Sequence, residues 1–264
     1  MASESKHIVL EARNLTVGYF RKKKADIVLS DIDFLLAEGE LVALVGTNGI
    51  GKSTLLRTIS GMQPFIKGSI HLKEKELYSY TAQELANYLS VVLTETPASK
   101  NLTVLELVSL GRQPYTNWMG TLSEEDKKIV TFALESTNTE ALSHNKCFEL
   151  SDGQLQRVYI ARALAQDTPI IILDEPTTHL DLYHRASILK LLKNLAVETK
   201  KTILFSTHEI DLAIQLSDKI IVMTPKANYF DTPKKLIKAG RFDALFPKEM
   251  IHFDSKTGRF TIKT

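Results

Sequence analysis

The sequence predicts an α/β fold built on a largely parallel sheet, and three observations carry that expectation. Short apolar runs alternate with amphipathic helical stretches through the second half of the chain. A glycine-rich loop joins one such run to a helix near residue 50. The stretch from about 87 to 148 breaks the alternation and turns helical, as an inserted lobe would.

Each element has its own local signal. Ile8–Leu10, Leu15–Tyr19 and Ile27–Leu36 read as strands, with Ile32, Phe34 and Leu36 alternating toward one face. Leu41-Val42-Ala43-Leu44-Val45 is a continuous apolar run, the pattern of a strand buried on both faces. A helix follows from about Lys52 to Gly61, where glycine can close its C-terminus. Thr81–Glu84, Thr103–Glu106 and Ser123–Asp126 have the spacing of capping boxes or their acidic variant, marking three helix starts. Beyond Leu150 the order is helix Ser151–Gln166, strand Ile170–Leu173, helix Leu182–Thr199, strand Thr202–Phe205, helix Glu209–Leu216 and strand Lys219–Met223. Ile251–Asp254 and Arg259–Lys263 flank Ser255-Lys256-Thr257-Gly258 as a hairpin.

Composition bounds the function. At 264 residues, 44% hydrophobic and 24% charged, the chain is long enough for one large globular domain with a sizeable core. A formal net charge of +2 gives no basis for a nucleic-acid partner. The basic run Arg21-Lys22-Lys23-Lys24 reads as a solvated loop. Cys147 is the only cysteine, which rules out an intrachain disulfide and fits a reducing compartment. Residues Met1 to Lys6 lack the apolar stretch of a secretion signal, and no run approaches the ~18 apolar residues of a membrane span. If the protein works at a membrane, other chains must hold it there.

The chemistry concentrates in two places. Gly46-Thr47-Asn48-Gly49-Ile50-Gly51-Lys52-Ser53 fits the complete P-loop pattern, between a buried strand and the helix that carries Thr54. Glycines let the backbone wrap phosphate closely, and the helix start adds its dipole and unpaired amides. Lys52 is expected on the β- and γ-phosphates and the Ser53 hydroxyl on Mg²⁺. Farther on, Pro169-Ile170-Ile171-Ile172-Leu173-Asp174-Glu175 carries two carboxylates to the C-terminal edge of a buried strand, where ligands of open α/β sheets collect. Asp174 is placed to hold Mg²⁺, directly or through water, and Glu175 to orient or deprotonate an attacking water.

With these motifs in hand, the chain resembles the ATP-binding cassette ATPases over about residues 8–240. The family signature Leu-Ser-Gly-Gly-Gln stands here as Leu150-Ser151-Asp152-Gly153-Gln154, followed by Arg157 and Ile160-Ala161-Arg162-Ala163-Leu164. The resemblance implies a P-loop NTPase of the ABC type: a RecA-like core, an antiparallel β subdomain and an inserted helical subdomain at about 87–148. Its bounds would be 1–248, with 249–264 a short C-terminal β extension. In the family the signature helix caps the γ-phosphate of ATP held by a second cassette, so Ser151, Gly153 and Gln154 are implied ATP contacts of a head-to-tail dimer. Thr178-His179-Leu180-Asp181 looks like the D-loop, and His208 resembles the switch histidine that meets the γ-phosphate and the water. Tyr19 sits where the family places the aromatic that stacks on adenine, although as a lone residue it could equally be core.

A narrower resemblance lies in the lobe. Glu106 to Tyr115, then Leu122-Ser123-Glu124-Glu125-Asp126, look like importers of ferric siderophores, haem and cobalamin. Tyr115 and Trp118 are either core packing or an exposed patch facing a permease. The implied assembly is two cassettes beneath membrane permease subunits on the cytoplasmic face, served indirectly by a periplasmic or surface substrate-binding protein.

Two positions depart from the family pattern. Its Q-loop usually reads Leu-Pro-Gln, and here Leu93-Thr94-Glu95 puts Glu95 where glutamine meets Mg²⁺; a carboxylate is also a hard oxygen ligand. Asp152 replaces a signature glycine. A carboxylate about 6 Å from a unit of phosphate charge costs roughly 3 kcal/mol at an effective dielectric of 20. The expectation is that Asp152 points away and helps cap its helix. Two other readings are a regulatory or weakly hydrolysing cassette, motivated by Glu95 and Asp152, and a soluble non-transport ATPase. The second lacks support, because the chain has neither a second cassette nor a long coiled-coil insertion.

Overall fold

The computed structural model describes residues 7–21, 24–93, 101–246, 251–255 and 257–262. In chain order come β1 (Ile8–Arg21), β2 (Lys24–Ala37), β3 (Leu41–Gly46), α1 (Lys52–Ile59), β4 (Lys67–Leu72), β5 (Lys75–Glu76), α2 (Ala82–Leu85) and β6 (Leu89–Val92). The lobe helices α3 (Val104–Ser109) and α4 (Glu124–Ser136) follow, and α5 (Asp152–Ala165) leads back to β7 (Ile170–Leu173). The remainder is α6 (Leu182–Thr199), β8 (Thr202–Thr207), α7 (Ile210–Leu216), β9 (Lys219–Met223), β10 (Asn228–Asp231), α8 (Pro233–Lys238), β11 (Ile251–Asp254) and β12 (Arg259–Ile262).

Three sheets result. The main one has the order β10-β9-β3-β8-β7-β6, parallel except for β10 at its edge. A four-stranded antiparallel sheet, β2-β1-β4-β5, forms the second layer. The C-terminal hairpin β11-β12 is the third, in the register Ile251↔Ile262.

β3 explains why the layers stack as they do. All six of its residues are buried, and successive side chains point to opposite faces. Leu41, Ala43 and Val45 join a core shared with α5, α6 and the lobe, through Val158, Leu189 and Val104 among others. Val42 and Leu44 join a second core with α1 and the antiparallel sheet, through Leu55, Leu10 and Leu36. Each such fully buried aliphatic side chain contributes about 1.5–3 kcal/mol relative to exposure.

Several expectations change at this level. The two separate strands expected before residue 20 are one strand, β1. Asn14 interrupts it in a left-handed conformation (φ 45°), with its N–H donated to Asp33 Oδ1 at 2.8 Å. The pairing with β2 shifts register there, so the polar break in the sequence is a bulge and not a turn. The helical lobe does not begin at 87, because Leu89–Val92 is the edge strand β6, paired in parallel with β7. Four residues interrupted by a serine are too short for periodicity to reveal. β4, β5, β10 and α8 lie in stretches the pattern left unassigned. The three capping boxes are all present, with Thr81, Thr103 and Ser123 accepting from the N–H three residues on. Cys147 is buried and free. Phe253 of the terminal hairpin is buried against Phe242, ring centroids 5.1 Å apart, so the extension packs into the main core. Among the described residues no helix is long and apolar enough to cross a membrane.

Candidate nucleotide site

β3 ends at Gly46, and the chain turns through Thr47–Gly51 into α1. Gly51 occupies the N-cap at φ 113°, and a Cβ there would lie 2.5 Å from Val28 Cγ1, so glycine is required twice over. No side chain caps α1, which leaves its first-turn amides for an anion. Ile50 turns inward against the second core. The resulting cavity, about 350 Å³, is lined by Asn48, Gly49, Gly51 to Thr54, Glu175 and His208.

Lys52 is buried under this loop. Its Nζ donates to the carbonyls of Gly46 at 3.2 Å and Thr47 at 3.4 Å, with His208 Nδ1 at 3.4 Å and Glu175 Oε1 at 3.8 Å. Burial pushes its pKa down, and the nearby Glu175 and Asp174 carboxylates oppose that shift. The ammonium is thus held by two backbone carbonyls and a longer ion pair with Glu175, and it faces the cavity where a phosphate would add a second anion.

The opposite wall comes from the adjacent strands β7 and β8. Their parallel register sets Leu173 beside Phe205 and so brings Asp174 next to Ser206. The Ser206 hydroxyl donates to Asp174 Oδ1 at 2.6 Å and accepts the Glu175 N–H at 2.8 Å. Asp174 is buried, and Glu175 sits in the left-handed region at φ 51°. His208 Nε2 bonds Glu175 Oε1, while the Thr178 hydroxyl donates to Glu175 Oε2 at 3.2 Å. Left-handed backbone at a bulky residue costs of order 1–3 kcal/mol and persists only where its surroundings over-determine it. Ser206 supplies that determination, and sequence reasoning missed it. Its signal was a polar residue closing an apolar strand, two positions before His208.

Tyr19 is about half exposed, which removes the core alternative; its hydroxyl lies 2.9 Å from Thr54 Oγ1, so the ring stands beside the start of α1. The signature residues lie apart from the P-loop cavity. Ser151 caps α5 in a reciprocal box with Gln154, accepting its N–H at 3.3 Å and donating to Gln154 Oε1 at 3.0 Å. Gly153 is packed so closely that a Cβ would stand 3.0 Å from His184 Cδ2. The expectation that Asp152 helps cap its helix is therefore corrected, since Ser151 and Gln154 do this. Asp152 is exposed in the first turn, where a carboxylate suits the helix dipole. It lines a smaller cavity, about 150 Å³, with Asp174, Glu175, Thr178 and His179. Glu95 lies outside the described residues. Trp118 is 92% exposed, which decides against core packing for it; the half-exposed Tyr115 instead covers Arg112, its ring centroid 4.0 Å from the guanidinium carbon.

A P-loop at the carboxyl edge of a parallel sheet, facing a buried aspartate and a histidine-bound glutamate, defines a P-loop NTPase. The chain belongs to the ABC transporter family, whose pattern its residues 29–178 match. It is 37% identical to the achromobactin transport ATP-binding protein of Dickeya dadantii, over 81% of this chain and 78% of that protein. An uncharacterised ABC transporter ATP-binding protein of Methanocaldococcus jannaschii is 36% identical over 97% of this chain and 87% of its own length. Among solved structures, an inward-facing metal-chelate type ABC transporter matches with a TM-score of 0.78 and 28% identity, covering 90% of this chain and 89% of that one. A dimeric cassette in a post-hydrolysis state with ADP and Pi matches at 0.69 and 30% identity, over 81% and 94%. The chain is an ABC-type ATPase that binds and hydrolyses ATP.

Proposed function

We propose that two copies of this chain form the motor of an importer, using ATP to drive a metal chelate such as a ferric siderophore through partner permease subunits. The observation that carries the chemistry is the convergence of Lys52, Glu175 and His208 on one cavity beside an uncapped helix start. Lys52 and the α1 amides hold the terminal phosphates. Glu175 takes the proton of a water as its oxygen bonds the γ-phosphorus and the bond to the ADP oxygen breaks. His208 keeps the carboxylate oriented. Ser53, exposed in the cavity, and Asp174 offer oxygen donors that fit Mg²⁺, which commonly binds through one or two protein oxygens plus substrate phosphates. Mg²⁺ would neutralise phosphate charge when bound. Tyr19 would pack against the base, and Ser151, Gly153 and Gln154 of one copy would meet the ATP of the other.

The cargo reading rests on the achromobactin relative and the metal-chelate transporter, and the exposed Trp118 supplies an anchor for a membrane partner. The test is reconstitution of the chain with its permease and binding protein in vesicles. ATP-dependent accumulation of a ferric siderophore, with hydrolysis stimulated by loaded binding protein, is expected. Hydrolysis that proceeds without any permease association would overturn the importer role.

A further inference from the structure

Arg185 stands near the start of α6, where the macrodipole is positive and a helix gains nothing from a cation. Its guanidinium turns away from its own helix to two acceptors. Nε donates to the Leu180 carbonyl at 2.6 Å, and Nη1 donates to Glu209 Oε1. Glu209 occupies the N-cap of α7, yet its side chain makes no cap bond there and its carboxylate goes to Arg185 instead. Each helix thus starts beside a charged residue that serves something other than the helix.

The two segments that Arg185 holds meet again at Glu175. Leu180 lies two residues past Thr178, whose hydroxyl donates to Glu175 Oε2 at 3.2 Å. Glu209 directly follows His208, whose Nε2 bonds Glu175 Oε1. Each oxygen of this carboxylate is therefore held by a residue whose own segment is tied to the same guanidinium. The path closes on itself, from Glu175 through Thr178, Leu180, Arg185, Glu209 and His208 back to Glu175. A guanidinium is planar, with its donors in fixed directions, so neither segment can shift alone without breaking one of its bonds. The Arg185 and Glu209 side chains are 33% and 30% exposed, and a pair so open to water contributes little to folding. What it fixes is direction.

Building on the reading of Glu175 as the base, we infer that Arg185 is a positioning residue for hydrolysis. Arg185 does not line the phosphate cavity, so it acts through the segments of Leu180 and Glu209. By locking them together it makes Thr178 and His208 present the Glu175 carboxylate to the attacking water in one orientation. Without the guanidinium the two supports move independently and the carboxylate swings. A misplacement of about 1 Å at a reacting group costs up to about a hundredfold in rate.

The test is steady-state ATP hydrolysis by the full chain, with Glu175→Gln measured in parallel. Arg185→Gln should lower kcat between about tenfold and a hundredfold and leave KM for ATP within about twofold, because ground-state binding does not involve this residue. Glu209→Gln removes the same link from its other end and should give the same split, which covers any misfolding of the first variant. The double variant should be no slower than the slower single one, since both changes break one connection. Arg185→Lys keeps the charge without the fork and should recover part of the rate. Thermal midpoints should stay near wild type. Normal kcat in folded Arg185→Gln, or losses that multiply in the double variant, overturn the inference and leave Glu175 as the base if Glu175→Gln is inactive. Near-normal hydrolysis by Glu175→Gln overturns both.

Discussion

The helical lobe and the phosphate edge of the parallel sheet obey opposite local rules. In the lobe and its approaches, α2, α3, α4 and α5 all begin with a reciprocal capping box. The buried Arg112 there is matched by Asp126 at 2.8 Å. At the phosphate edge, α1 starts on an uncapped glycine, Glu175 and His179 adopt left-handed backbone, and Lys52 is buried between two backbone carbonyls and the Glu175 carboxylate 3.8 Å away. One region satisfies itself. The other is arranged for groups that come from outside, and that is where the chemistry sits.

Variants that separate stability from turnover test this contrast, and the largest effect should come from Glu175→Gln. The amide cannot take a proton from water, so phosphate release should fall about a thousandfold. ATP titration and the thermal midpoint should hold near wild type. Near-normal hydrolysis would remove Glu175 from the catalytic role.

Asp126→Asn should do the reverse, losing about 3 kcal/mol of stability through the unpaired Arg112 while leaving nucleotide affinity intact. The Ser123 hydroxyl first, and then Arg112, hold the Asp126 carboxyl below its usual range. Because the folded pKa is depressed, its contribution is full above the ordinary carboxylate value and is lost as pH falls through the folded one. Denaturant titrations at pH 7 and at progressively lower pH should therefore show the gap between wild type and variant closing. A gap that persists unchanged in acid would contradict the pairing.

Lys52→Ala should weaken ATP binding at least about tenfold, the scale of a lost charged hydrogen bond, with stability unchanged or raised. A large fall in the thermal midpoint would mean that the phosphate edge is self-satisfied after all. The smallest effect belongs to Thr103→Ala, which removes one cap and should cost about 1 kcal/mol in chemical denaturation. Turnover altered by that change would blur the division between the regions.

The same contrast explains what could be read from the sequence. Capping boxes, the apolar run of β3 and the P-loop are local patterns, and each was legible in a window of a few residues. The functional pairing of Ser206 with Asp174 and Glu175 was not, because it depends on which strand lies beside β7. Nor was β6, whose four residues become a strand only through parallel pairing with β7. Asp152 illustrates an intermediate case. Its departure from the signature was visible, yet the cap belongs to Ser151 and Gln154, a choice made by backbone geometry at the first turn. The position of Arg112 was legible in the sequence, but only the structure pairs it with Asp126.

β3 has a consequence for how the protein comes apart. Its odd and even residues belong to different cores, yet they share one backbone and one set of ladder hydrogen bonds to β8 and β9. Neither the antiparallel layer nor the lobe side can melt without stripping one face of this strand. The amides of Leu41 to Val45 should exchange with solvent only when the whole chain opens, making this five-residue stretch the slowest clock in the molecule.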